Sequence, residues 1–219
     1  KKMKKIIIMG GFGNGTVALS TIEDINMKTP TWDVLGFLND FEKNPINGYP
    51  VLGTIDQQTV KPFLDDENTY FFYSLISVKM NYRYLDKLLS LNIPKERFAT
   101  LIHPTAVISK FSTIGYGTCI QPFVSVGPNV SIGNHVQIYA QVLVVHGATL
   151  EDYSYVANNA CIGADVHLKE GAYLGTNSKT LERITMGKWS LAGIGSVVLK
   201  DVPDYTKVVG NPARSIGSV

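Results

Sequence analysis

From Ile102 to Val198 the hydrophobic pattern repeats every six residues, beginning Ile102, Ile108, Ile114, Ile120, Val126 and Ile132. Of the seventeen positions in this register, fifteen are Ile, Val, Leu or Met, with Thr180 and Ala192 the exceptions. Four residues after each stands Ala, Ser, Thr or Val, except at Ile184. A period of six fits neither a helix at 3.6 nor a plain strand at 2. It is the signature of a parallel β-helix, in which one large residue per short strand points to the axis and a small one fills the corner. Three hexads make one triangular coil, so the run predicts between five and six coils. Stacked at about 4.8 Å, they form a prism roughly 25–30 Å long.

The residues ahead of the repeat have another texture. Lys4 to Met9 reads as a buried strand and runs at once into Gly10-Gly11-Phe12-Gly13-Asn14-Gly15. Val17, Ala18, Ile22 and Ile25 then recur at helical spacing, and Val34 to Leu38 is a second strand ending at Asn39-Asp40. Asn44 to Pro50 is turn chemistry, and Thr54 to Lys61 is predicted as a short capped helix. Tyr70 to Ile76 reads as a third strand and Met80 to Leu91 as an amphipathic helix. Strands alternating with helices predict a small parallel α/β sheet over residues 1–98 and the β-helix over 99–219.

Glycines after a buried strand let a backbone approach a ligand, and a helix N-terminus offers N–H groups to a phosphate. The form here is GGxGxG, not the full dinucleotide fingerprint, and there is room for one mononucleotide-sized half. Gly13, Asn14, Gly15, Asn39 and Asp40 are therefore candidates for binding a nucleotide or sugar nucleotide. A bare structural turn is the alternative, with NAD behind it.

Composition narrows the classes. Twenty basic and eighteen acidic residues give a net charge of +2 with no basic stripe, so nucleic acid is not an expected partner. The apolar stretch Ile6 to Met9 is too short for a signal peptide or membrane span, and a cytoplasmic setting is expected. Cys119 and Cys161 fall on different faces of the coil, so no disulfide is expected. Counted within the eighteen-residue coil, His103, His135, His146 and His167 all occupy different places, which argues against a histidine metal site. His146, in Val144-Val145-His146-Gly147-Ala148, occupies an outward place near mid-prism. A lone histidine there is either a surface residue or a group that exchanges a proton near neutral pH.

GGFGNG, LIHPTAVIS entering the repeat and VVGNPARSI at the end together resemble the left-handed β-helix sugar acetyltransferases. These include sialic-acid O-acetyltransferase relatives and N-acetyltransferases of nucleotide-linked 4-amino-4,6-dideoxysugars. The resemblance covers essentially the whole chain. It implies a Rossmann-like half followed by a left-handed β-helix, a homotrimer with inter-subunit active sites, and acetyl-CoA as co-substrate without a metal. It also implies that His146 is the general base, acting on the amine of a UDP- or dTDP-linked sugar. A sugar hydroxyl as acceptor, or a non-catalytic nucleotide-binding scaffold, are the rival readings.

By the same resemblance Tyr155, Ala164, Thr176, Gly193, Ile194 and Arg214 correspond to cofactor-binding positions. The chain departs from the family at three places. Gly147 stands where a carboxylate often follows the histidine, Tyr139 replaces an asparagine, and Tyr155 replaces a second histidine. Glu151 and Asp152 are candidates to supply the missing carboxylate.

Overall fold

The computed structural model describes residues 3–76 and 81–219. The chain divides into two compact units, residues 1–104 and 105–219. In the first, β1 (Lys4–Met9), β2 (Trp32–Leu38), β3 (Val51–Gly53) and β4 (Thr69–Tyr73) form one parallel sheet in the order β3-β2-β1-β4. Ile6, Ile7, Ile8 and Met9 are fully buried, as expected of a central parallel strand covered on both faces. The helices are α1 (Asn14–Lys28), α2 (Gln57–Leu64) and α3 (Asn81–Ser90).

Strand β3 was not expected from the pattern. Three residues after Pro50 are too few to display alternation, and the strand exists because Gly36 lets its neighbour approach: a Cβ on Gly36 would strike the carbonyl oxygen of Pro50. Helix α2 also begins three residues later than predicted. Asp56 is its N-cap, accepting a hydrogen bond from the Thr59 N–H at 2.8 Å. Met80, the predicted start of the last helix, lies outside the described residues, and β4 ends three residues short of Ile76.

The second unit is a parallel β-helix. Sixteen two-residue strands run from Val107–Ile108 to Val197–Val198, each ending on one of the periodic positions. Up to Lys179–Thr180 each pairs in parallel with the strand eighteen residues on, for example Gln137↔Tyr155 and Leu143↔Cys161. The strands form three faces. The first carries Cys119, Gln137, Tyr155, Tyr173 and Leu191 outward, the second Val107, Ser125, Leu143, Cys161, Lys179 and Val197, and the third Thr113, Ser131, Thr149, His167 and Thr185. Inside, Ile120, Ile138, Val144, Leu150, Ile162, Leu168 and Leu174 stack into one apolar column. The axis is capped by a hairpin, Thr206–Gly210 antiparallel to Ala213–Ser218, with Thr206–Gly210 continuing the first face beside Leu191–Ala192. Cys119 and Cys161 are free thiols on separate faces, as their register required.

The corners follow a rule of their own. Every sixth residue from Gly117 to Gly195 has positive φ, between +51° and +71°. Eight of these fourteen are Gly, Asn or Asp, the residues that enter the left-handed region most cheaply. Gly147 is one of them, with φ +71°, so glycine at this place is conformationally apt.

One corner column is aromatic. His135 stacks on Tyr153 with ring centroids 5.7 Å apart, and Tyr153 lies parallel to Trp189 at 6.4 Å. The glycines of the same column make room, since a Cβ on Gly117 would sit 2.5 Å from His135 Nδ1. Burial of the imidazole pulls its pKa down to about 4. The unfolded chain, with histidine near 6.5, then binds the proton that the folded chain refuses. Stability is therefore full above the unfolded value and falls as pH drops from about 6.5 toward 4, by roughly 3 kcal/mol. Melting temperatures measured between pH 7 and pH 4 should show this loss, and His135→Phe should flatten it.

Candidate active site

His146 follows strand Leu143–Val144 at the corner between the second and third faces and is exposed. Its carbonyl accepts the Asp165 N–H at 3.0 Å, which ties this corner to the next coil. Among the described residues no group hydrogen-bonds its imidazole. Glu151 and Asp152 do not serve it. Glu151 Oε1 lies 2.6 Å from His167 Nε2 while its other oxygen accepts the Glu170 N–H at 2.9 Å. Asp152 accepts the backbone N–H of Asn134 at 2.7 Å and its side-chain amide at 3.1 Å. Both expected substitutes are committed to other corners.

The register places Ala164 one coil beyond His146 on the same corner, followed by Glu182 and Lys200 at the same interval. Thr176 and Ile194 share the corner between the first and second faces, joined by the Gly195 N–H to the Thr176 carbonyl at 2.9 Å. The proposed cofactor residues thus flank the two edges of one face and do not converge within one chain. Gly193 has a structural reason to be glycine, since a Cβ there would lie 2.7 Å from Val209 Cγ1 of the closing hairpin. Arg214 lines a cavity of about 500 Å³ between that hairpin and the last coil, together with Lys200, Pro212 and Ser215. Lys200 was missed in the sequence, although it is visible there as the cation three coils along the His146 column.

Tyr139 and Tyr155, two of the departures from the family pattern, touch each other. Their ring centroids are 4.9 Å apart, and Tyr173 stacks on Tyr155 at the same distance. Burial first, then the hydrogen bond and charge of Tyr155, push the Tyr139 phenol far above its ordinary pKa, so it stays protonated. The two replacements form one aromatic cluster on the first face.

In the α/β unit, the C-terminal ends of β1 and β2 open onto a pocket of about 360 Å³. Gly10, Gly11, Asn39 and Asp40 line it with Phe12, Phe41 and Tyr84, three aromatics that the sequence did not single out. Gly13, Asn14 and Gly15 are not among its lining residues. Gly13 is the N-cap of α1 with φ +90°, and no side chain caps the helix. Gly15 is buried, where a Cβ would lie 3.3 Å from the Gly10 carbonyl carbon, so it serves close packing of helix on strand.

Asn39 holds the loop itself. Its Nδ2 donates to the Gly10 carbonyl at 2.9 Å and its Oδ1 accepts from Phe41 and Glu42, each at 2.8 Å. Asp40 accepts the Ile55 N–H at 2.9 Å and pairs with Lys87. Among the described residues no three His, Cys, Asp or Glu side chains gather to hold a metal ion, and no helix is long and apolar enough to cross a membrane.

No family model matches the chain. It is 28% identical over 221 residues to GDP-perosamine N-acetyltransferase of Escherichia coli O157:H7, covering 95% of this chain and 96% of that one. Serine acetyltransferase 4 of Arabidopsis thaliana is 35% identical over 124 residues, but the match spans 57% of this chain and only 31% of the relative. Among solved structures, a mutant GDP-perosamine N-acetyl transferase of Caulobacter crescentus, in complex with CoA and GDP-perosamine, superposes with a TM-score of 0.85 at 22% identity over 99% of both chains. The acetyltransferase domain of PglB from Neisseria gonorrhoeae FA1090, in complex with acetyl coenzyme A, gives 0.84 at 23% identity, covering 98% of this chain and 100% of that one. The repeat, the α/β unit ahead of it and this end-to-end likeness point the same way: the chain is similar over its whole length to hexapeptide-repeat sugar acetyltransferases.

Proposed function

We propose that the chain is an acetyl-CoA-dependent N-acetyltransferase acting on a nucleotide-linked 4-amino-4,6-dideoxyhexose. The observation that carries the reading is likeness over 95% of the chain to an N-acetyltransferase of such a substrate, with an exposed histidine at a mid-prism corner. The amine attacks the thioester carbonyl, His146 takes the proton released from nitrogen and returns it to the departing sulfur, and CoA leaves as the thiol. A backbone N–H near the thioester stabilises the oxyanion. No nucleophilic residue is needed, so transfer is direct. The coils wind left-handed, as the likeness in fold supports.

The site is shared between chains of a homotrimer. What supports this is the second face, whose outward Val107, Leu143 and neighbouring Leu181 and Leu199 are all exposed, whereas the third face presents threonine, serine and histidine. An apolar strip of this kind is normally covered. Covering it with a neighbouring prism brings the Thr176 and Ile194 edge of one chain toward the His146 edge of the next. Acetyl-CoA lies along that seam, with small Ala164 beside the pantetheine and Lys200 and Arg214 toward the phosphates. Lys200 is three coils from His146, roughly 15 Å, a reach that suits an extended pantetheine arm.

The nucleotide occupies the pocket at the ends of β1 and β2, its diphosphate toward the N-terminus of α1. The acceptor to test first is GDP-perosamine, with UDP- and dTDP-linked 4-amino sugars alongside. Thiol release from acetyl-CoA that depends on one of them supports the reading. Acetylation of a sugar hydroxyl alone, or no turnover with any acceptor, overturns it.

The binding assignment has its own test. Gly13 has φ +90° and open space around a built Cβ, so a β-branched residue there suffers from backbone strain and not from crowding. Gly13→Val should raise the Michaelis constant for the sugar nucleotide by about tenfold, the worth of 1–2 kcal/mol of strain, and leave that for acetyl-CoA nearly unchanged. Asp40→Ala should act in the same direction more mildly and also lower the melting temperature, because the Ile55 N–H and Lys87 lose their partner. Weakened acetyl-CoA with an unchanged sugar nucleotide would reverse the assignment of the two units.

A further inference from the structure

We infer that Asp165 is the carboxylate that positions His146, supplied from the next coil of the same chain. The inference rests on His146 as the base. Gly147 and Asp165 occupy equivalent corner places one coil apart, both with positive φ. A Cβ built on Gly147 would lie 3.2 Å from Asp165 Cγ and would collide with its Oδ1. The carboxylate of Asp165 therefore fills the space that a side chain following His146 would take. The Asp165 N–H to His146 carbonyl hydrogen bond at 3.0 Å fixes the two corners against each other.

The neighbourhood leaves the imidazole room to reach it. Ala164, directly above His146 in its column, ends at a methyl group. Glu151 and Asp152 are bound to His167 and Asn134. Glu182 stands two coils away in the column. Asp165 is exposed and makes no side-chain hydrogen bond among the described residues, so both its oxygens can accept. A rotation of the exposed imidazole brings Nδ1–H onto one of them. That bond selects the tautomer in which Nε2 is the acceptor for the amine proton and stabilises the imidazolium that forms. The missing partner after the histidine is thus restored by stacking, one coil along.

Asp165→Asn separates charge from shape, because asparagine enters the left-handed corner as easily as aspartate and is nearly isosteric. With acetyl-CoA and GDP-perosamine as substrates, kcat should fall about tenfold, the lower end of what partners of an oriented imidazole are worth. The loss should be confined to kcat, because orienting the imidazole serves the transition state and not the binding of either substrate. The Michaelis constant for acetyl-CoA and the melting temperature should hold. A lower rate accompanied by raised Michaelis constants or a lower melting temperature would leave Asp165 a structural corner residue and sink the inference. So would wild-type kinetics. The double variant Gly147→Glu with Asp165→Gly returns the carboxylate to the His146 coil and should recover most of the rate. Failure to recover in a folded protein also counts against it. His146→Ala in the same assay keeps the two readings apart: an active His146→Ala defeats the base, whereas an inactive one beside a wild-type-like Asp165→Asn defeats only the positioning role.

Discussion

His146→Ala is expected to lower turnover by roughly 10²–10⁴-fold, the usual worth of a positioned general base. The side chain is exposed on an outward corner and contributes nothing to the apolar column, so folding and assembly should be unchanged. Michaelis constants should change little, because the lost interaction belongs to the transition state. A folded variant that keeps most of its activity would reduce His146 to a surface residue. The reaction would then need another base, and of the other histidines only His167, on the third face, is accessible. His103 is buried beside Asp24 at 3.0 Å, His135 is stacked in the aromatic corner, and His167 is paired with Glu151.

The second large effect is expected on the apolar face. Leu143→Asp combined with Leu181→Asp puts two carboxylates where neighbouring prisms are proposed to pack. Burying an unpaired charge costs several kcal/mol per group, so the assembly should separate. Light scattering should move from about three times 24.0 kDa to the mass of one chain. Activity should fall as far as in His146→Ala, because the Thr176 edge and the His146 edge then belong to no common site. Both leucines point outward, so the prism of each chain should keep its core and its far-ultraviolet signal. Ser131→Asp on the polar third face is the control and should stay assembled. An active monomer in the double variant would place the whole site within one chain and remove the shared-site reading.

Much of this was legible in the amino-acid order because the β-helix repeats one local decision. Each hexad chooses an axis residue and a corner residue, and sixteen strands in unit two obey the choice. The period also gave the columns: Ala164 and Lys200 could be placed on the His146 corner by counting alone. The positive-φ corners carry a signal too, the run of Asn, Gly and Asp three places after the large residue. In the α/β unit, long buried strands such as Ile6 to Met9 were plain, whereas Val51–Gly53 was not. A three-residue edge strand has no pattern of its own and forms only because its neighbour offers free backbone groups.

Which polar groups are already spent was not legible. Asn39 and Asp40 carry the right chemistry at the right strand end, yet their nearest hydrogen bonds hold the loop, Ile55 and Lys87. Nothing in the order of residues separates a carboxylate that waits for a ligand from one that serves the fold.

By itself, then, the sequence determined the coil register and the identity of the one outward mid-prism histidine. These follow from burial of apolar side chains, a force without direction that leaves its period in the chain. The tertiary structure alone decided that Glu151 and Asp152 are committed elsewhere, that Tyr139 and Tyr155 form one cluster, and that Asp165 lies over Gly147. Those outcomes depend on hydrogen-bond direction and on side-chain position at contacts of a few ångströms, and a hydrophobic period records neither.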